Sequence, residues 1–361
     1  MAKTLEQQLA ILDKRLLKVE KSIDKKIQLL MRTNETSNVF YSSLQKQILK
    51  DYKEAELIYK KWNELAIPKQ YNKNIAAQIR KVKSRKYFKP NIKLNTKKFL
   101  NKDVNKQTIA SIIAESTATY VTALDAGRKD VFRLIHTTKQ TKIAEKRINQ
   151  LVSEGVFEKG SSYGAKKNLL KEFEKVVDGG YIKIIDKNGN PRRYKLKTYA
   201  DLVARTKMAE AQSLGTMNTA LAYGTDLIQV SSHNTTTPIC LPYEGKIFSL
   251  TGATKDFPII DVLTPFHPNC LHRITVVFAE ALKINGTYND YVKFSNGKTH
   301  MHPTQSSFIP NNNIKARVKN QNMSVVNHYN RTHKKTKMTP LTDKQINNKA
   351  NKIKEQMKKV A

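Results

Sequence analysis

Apolar residues at spacings of three and four open the chain: Leu5, Leu9, Leu12, Leu16, Val19, Ile23, Ile27 and Leu30, with Lys and Glu between them. That period predicts one long amphipathic helix with a single sticky stripe. The next segment, Leu44 to Leu65, carries Ile48, Tyr52, Ile58 and Trp62 and is expected to stop before Pro68. The stripe then either packs on this second helix or forms the seam of a self-associating coiled coil. After a polar connector over 69–107, helical periodicity returns from Gln107 to Asp125 and continues to Val152, and a further helix is expected from Ala165 to Val177, ended by Gly179 and Gly180.

From there the period changes. Tyr181–Ile185 and Arg193–Leu196 flank Asp186, Lys187, Asn188, Gly189 and Asn190, the Asn-Gly signature of a β-hairpin. Tyr199 to Ala222 reads as a helix terminated by Gly224. Leu227–Ser231 and Ile274–Phe278 read as strands that enter and leave a loop region. The expected fold is α+β, in three parts: a mostly helical N-terminal region (1–177), a small mixed α/β C-terminal domain (178–285), and a basic, largely disordered tail (286–361). Fifteen Lys or Arg stand against only Asp343 and Glu355 from Tyr291 to Ala361, too few apolar groups to offset the entropy of ordering; a short helix is allowed from Thr342 onward.

Charge narrows the partners. A formal charge of +35, from 65 Lys and Arg against 30 Asp and Glu, exceeds what solubility needs and points to an anionic polymer or surface, with nucleic acid ahead of a membrane. No apolar run is long enough to span a membrane, and the first residues lack the pattern of a signal peptide, so a reducing cytoplasm is expected during synthesis. Arg80, Lys81, Lys83, Arg85 and Lys86, beside Tyr87 and Phe88, are candidate nucleic-acid contacts, as are Lys334, Lys335 and Lys337. The plain alternative is a solvated connector. His300 and His302 read as solvent-exposed side chains.

Both cysteines and three of the eight histidines fall between His233 and His272. Thiolate and neutral imidazole suit tetrahedral zinc, and Cys240, His267, Cys270 and His272 would supply four ligands, with His233 as a substitute for any of them. A Cys240–Cys270 disulfide and two unligated core cysteines are the alternatives. Glu244 and Asp261 nearby admit a zinc-dependent hydrolase or nuclease, yet enough protein ligands are present to close the shell, and phosphate-loop, nucleophile-elbow and His-Glu-x-x-His motifs are absent. A plain DNA-binding regulator would show a helix-turn-helix or a finger of standard spacing, and neither is seen.

Taken in order, Gly189, Tyr194–Leu196, Tyr199–Thr206, Gly224–His233, Gly245–Leu250 and His267–His272 form a pattern that resembles the minor capsid proteins of tailed phages, the minor capsid protein 2 group, which is related to the Mu F-like head morphogenesis proteins. The resemblance covers Asp178 to Phe278 and is architectural upstream. Mu F-like members often carry Cys-x-x-Cys before the glycine and Cys-Arg-Cys after the His-Pro. Here Tyr243 stands at the second cysteine position, and Leu271 and His272 replace the last two residues. The resemblance implies a head component present in few copies, inside the capsid near the portal, with portal and capsid proteins as partners and a part in assembly or DNA delivery.

Overall fold

The computed structural model describes residues 5–153, 173–176, 178–186, 188–233, 235–299 and 339–360, with single positions at 171, 315, 318, 319, 323 and 326. The chain divides into two compact units, each assembled from separated stretches: 1–69 with 110–207, and 70–109 with 208–361. These units interleave along the chain.

Four helices come first: α1 (Leu5–Arg32), α2 (Asn38–Lys83), the short α3 (Thr96–Leu100) and α4 (Asp103–Ser153). In the first unit the α1 stripe is buried from Leu9 through Leu30, in one core with Leu44, Ile48, Tyr52 and Tyr59 of α2, so the stripe is used within the chain. The expected stop before Pro68 does not occur. Pro68 lies inside α2, which continues to Lys83. A proline costs one backbone hydrogen bond and crowds the preceding turn. Ala66, Ile67, Tyr71, Ile75, Ile79 and Val82 keep an unbroken buried face through it, and that burial outweighs the local loss.

Tyrosines fill the middle of this unit. Tyr59 stacks on Tyr120 with centroids 4.0 Å apart, Trp62 lies 6.2 Å from Tyr59, and Tyr199 lies 6.3 Å from Tyr120. The predicted hairpin is present as β1 (Ile182–Ile185) and β2 (Pro191–Tyr194), with Ile182 opposite Tyr194. Its turn is closed by the Asp186 carboxylate, which accepts from the amides of Asn188 and Asn190 at 2.9 and 3.0 Å, and Gly189 takes the left-handed φ of +80° that the turn needs. Asp130 of α4 pins the hairpin through Lys183 and Arg193. Glu20 of α1 accepts the amide of Leu196 at 2.8 Å, satisfying one of the free N–H groups that open α5 (Leu196–Ala222). The expected helix from Ala165 to Val177 falls mostly outside the described residues; 173–176 are helical, and Phe173 and Val176 join this core.

The second unit holds a three-stranded antiparallel sheet in the order β4 (Ile247–Ser249), β3 (Leu227–Val230), β5 (Ile274–Val277). Two short helices, α6 (Ala279–Ile284) and α7 (Tyr288–Ser295), follow β5, and α8 spans Asp343–Val360. Within the segment expected to be a largely disordered tail, α7 is an ordered helix that was not foreseen, and α8 is the short helix allowed from Thr342 onward. Tyr291 of α7 is buried with Leu227, Ile247, Phe257 and Val277, while Ile346, Ala350 and Ile353 of α8 are buried with Leu241 and Val318. A few apolar residues at helical spacing order these segments because the sheet and the loop around Leu241 supply the other half of each core. Among the described residues no helix is long and apolar enough to cross a membrane.

Asp226, just before β3, organises the turn after β4. Its carboxylate accepts from the hydroxyls of Ser249, Thr251 and Thr254, and its carbonyl accepts from the Leu250 amide at 2.7 Å. Burial pushes this carboxyl up, but the hydroxyl donors outweigh it and hold it below its ordinary value.

Two outcomes follow. A Cβ on Gly127 of α4 would lie 1.8 Å from the Tyr181 carbonyl oxygen, so Gly127→Ala should lower stability by about 1–3 kcal/mol in a chemical melt, as overpacking does. Asp226→Asn should destabilise at neutral pH. Because the folded value lies below the unfolded one, the carboxylate's contribution is present above about pH 4 and is lost as pH falls through the folded value, so the gap between wild type and variant should close in acid melts.

Candidate metal centre

The sheet register builds the site. Val230 pairs with Ile274 and Gln229 with Ile247. Continued two and three steps past the ladder, those pairings bring residue 232 opposite both His272 and Glu244. The backbone holds this extension: Ser231 donates to the Arg273 carbonyl at 2.8 Å, Arg273 donates back to Ser231 Oγ at 3.0 Å, and Val230 donates to the Lys246 carbonyl at 2.9 Å. Three chain segments thus deliver His233, Glu244 and His272 to one end of the sheet.

Cys240 arrives from successive turns: its amide donates to Thr237 O at 3.0 Å, and its own carbonyl accepts from Tyr243 N at 3.1 Å. Cys270 arrives from the His267 turn, where its amide donates to His267 O at 3.1 Å. The ligand atoms of Cys240, Cys270 and His272 all lie within 4.8 Å of one another. All three side chains are buried, at 0, 8 and 4% exposure, and both thiols are free. Cys270 Sγ and His272 Nδ1 are 3.5 Å apart. His272 Nε2 lies 3.5 Å from Glu244 Oε1, an ion-pair distance without hydrogen-bond alignment, and is a buried nitrogen with no hydrogen-bond partner.

Glu244 also accepts from the backbone amides of His233 and Thr235, the latter at 3.1 Å, which fixes its carboxylate against the cluster. Around these groups the electrostatics favour a thiolate beside an imidazolium. The hydrogen bond from Cys240 holds the Cys270 thiol well below its ordinary value, and the same contact pushes Cys240 up. Burial alone would push His272 down, but Cys270 and Glu244 together lift it to about 9.

Of the residues expected to bind metal, the structure brings together Cys240, Cys270 and His272. His233 stands at their edge, exposed, its ring centroid 5.1 Å from that of His272 and its Nε2 2.8 Å from Ser231 Oγ. His267 is outside the cluster; its Nδ1 lies 2.8 Å from the Pro268 carbonyl. Tyr243 stacks on Phe266 with centroids 4.4 Å apart and donates to Asp261 at 2.8 Å, so an aromatic wall stands where the related pattern has a second cysteine. Asp226 escaped the sequence reading, since a carboxylate before a strand carries no signal until its hydroxyl donors are paired with it.

Arg80, Lys81, Lys83 and Lys86 are exposed, with Arg80, Lys81 and Lys83 on the last turn of α2. Arg85 is half-buried and donates to the Val276 carbonyl at 2.8 Å. Lys334, Lys335 and Lys337, like His300 and His302, lie outside the described residues.

No curated protein and no solved structure matches this chain. A family model described as Phage minor capsid protein 2 matches residues 63–360, which include the whole sheet, the Cys/His cluster and α8. With most of its length inside that match, the chain belongs to the phage minor capsid protein 2 family, a family of structural phage proteins.

Proposed function

We propose that this chain is a minor structural protein of a tailed-phage head, lying inside the capsid near the portal, where it contacts packaged duplex DNA without reading its sequence and aids head assembly or DNA delivery. The family match over 63–360 carries this reading. The +35 charge supports the DNA contact, since lysines and arginines that neutralise phosphates release condensed counterions whatever the base sequence. The exposure of Arg80 and Lys83, one helical turn apart, supports them as candidates for this contact.

The Cys/His cluster is read as structural rather than catalytic. Its thiols and imidazole are buried, so a substrate has no exposed nucleophile to meet. The donor set fits zinc: ligand atoms about 3.6 Å apart are what a tetrahedral site with bonds of 2.0–2.3 Å requires, and the Cys270–His272 separation is 3.5 Å. Cys240, Cys270 and His272 would hold the ion, with Glu244 or His233 available as the fourth ligand. Such an ion would tie the loop after β3 to the segment before β5.

Three measurements test these statements. Elemental analysis of the purified full chain should find about one zinc per molecule; Cys270→Ala should lose it and lower the melting temperature, and a metal-free wild type that melts identically with and without chelator would remove zinc from the account. For DNA, Arg80→Gln combined with Lys83→Gln should reduce the slope of log affinity against log salt by about 0.9 per lost phosphate contact on any duplex. An unchanged slope would take these two residues out of the interface. Cross-linking of intact, DNA-filled heads should join the chain to the portal protein; links confined to the outer capsid surface would overturn the interior placement.

A further inference from the structure

Beside the last turn of α2, the second unit holds a cleft of about 340 Å³. Lys81, Arg85, Lys86 and Tyr87 form one side, and Phe278 and Leu282 belong to the other. Arg85 is the fixed point. Its Nη2 donates to Val276 O at 2.8 Å, and its guanidinium carbon lies 4.9 Å from the centre of the Phe278 ring. Its Nη1 is buried and has no hydrogen-bond partner. A buried guanidinium N–H left unpaired is costly, and such a group is normally completed by an acceptor.

Among the described residues lining the cleft are three cations, Lys81, Arg85 and Lys86, and no carboxylate. Burial, and then the charge of Arg85, hold the Lys81 ammonium below its ordinary value, as expected when like charges share a site without an anion. Tyr87 is 81% exposed at the rim, where a flat ring can stack on it. The volume exceeds one phosphate and falls in the range of about 300–1,000 Å³ usual for small-ligand sites.

We propose that this cleft receives one nucleotide unit, its phosphate on Arg85 Nη1 with Lys81 and Lys86, and its base against Tyr87 or the apolar wall at Phe278 and Leu282. This rests on the reading that the basic stretch after α2 meets nucleic acid, and it assigns that stretch a pocket rather than a charged surface alone. The unit could belong to a free mononucleotide or to an unpaired or terminal nucleotide of a strand; the shared chemistry is a phosphate monoester or diester joined to a flat ring.

Calorimetric titration of the full chain with dAMP, inorganic phosphate, a short 5′-phosphorylated single strand and a blunt duplex separates these sources. The single strand should bind and dAMP should displace it, whereas phosphate alone should bind more weakly than dAMP. Lys81→Gln with Lys86→Gln, both exposed and safe for folding, should weaken dAMP and single-strand binding roughly tenfold, equivalent to about 1.4 kcal/mol. Arg85→Gln should weaken them further. If dAMP and the single strand fail to bind while duplex affinity keeps its salt slope, the pocket is overturned and the general DNA contact stands. Equal affinity for phosphate and dAMP would reduce the cleft to a plain anion site and overturn the nucleotide assignment, as would unchanged binding in all of these variants.

Discussion

The register of the three-stranded sheet is the constraint on which the second unit depends. Four residues of β3 pair with β5 and three of them pair also with β4, and this fixes which positions of two distant segments stand opposite one another. A slip of one residue would turn every side chain to the other face and carry His272 and Glu244 out of line with His233. Asp226 at one end of β3 and the Ser231–Arg273 backbone pair at the other hold that register. The chemistry at the end of the sheet is thus a product of strand pairing.

The first unit is held by a different device. Its helices meet through a continuous apolar stripe and a row of tyrosines; the phenol hydroxyls of Tyr59 and Tyr52 are paired with Ser116 at 3.1 Å and the Tyr181 carbonyl at 3.2 Å, while that of Tyr120 is buried without a hydrogen-bond partner. Close approach is possible where Gly127 lets the backbone at Tyr181 lie against α4. Carboxylates on helices then anchor the other elements, Glu20 at the start of α5 and Asp130 at the hairpin. Each buried acid meets a donor from a remote part of the sequence, the condition under which a buried charge is tolerated.

Much of this was legible in the sequence, and for identifiable reasons. The α1 stripe, the Asn-Gly hairpin and the strands at Leu227 and Ile274 each carry a period or a turn signal strong enough to stand alone. Pro68 misled because a local rule was applied where burial on both sides of the proline outweighs it. In the basic tail, composition averages over a window and hides α7, which needs only Tyr291 and Phe294 to find a core, whereas α8, allowed from Thr342 onward, finds one through Ile346, Ala350 and Ile353. Spacing in sequence brought out Cys240, Cys270 and His272 but could not tell His267 from them, since the turn that carries Cys270 inward leaves His267 facing its neighbour's carbonyl.

The packing of α8 on Leu241, the residue next to Cys240, ties two segments far apart in sequence into one small core. Joining them closes a long loop, and the entropy lost grows only slowly with its length, so a few buried side chains suffice to hold it. Through Leu241 the neighbour of a cluster cysteine leans on α8, so a change that loosens Ile346, Ala350 or Ile353 is felt at the backbone that presents Cys240.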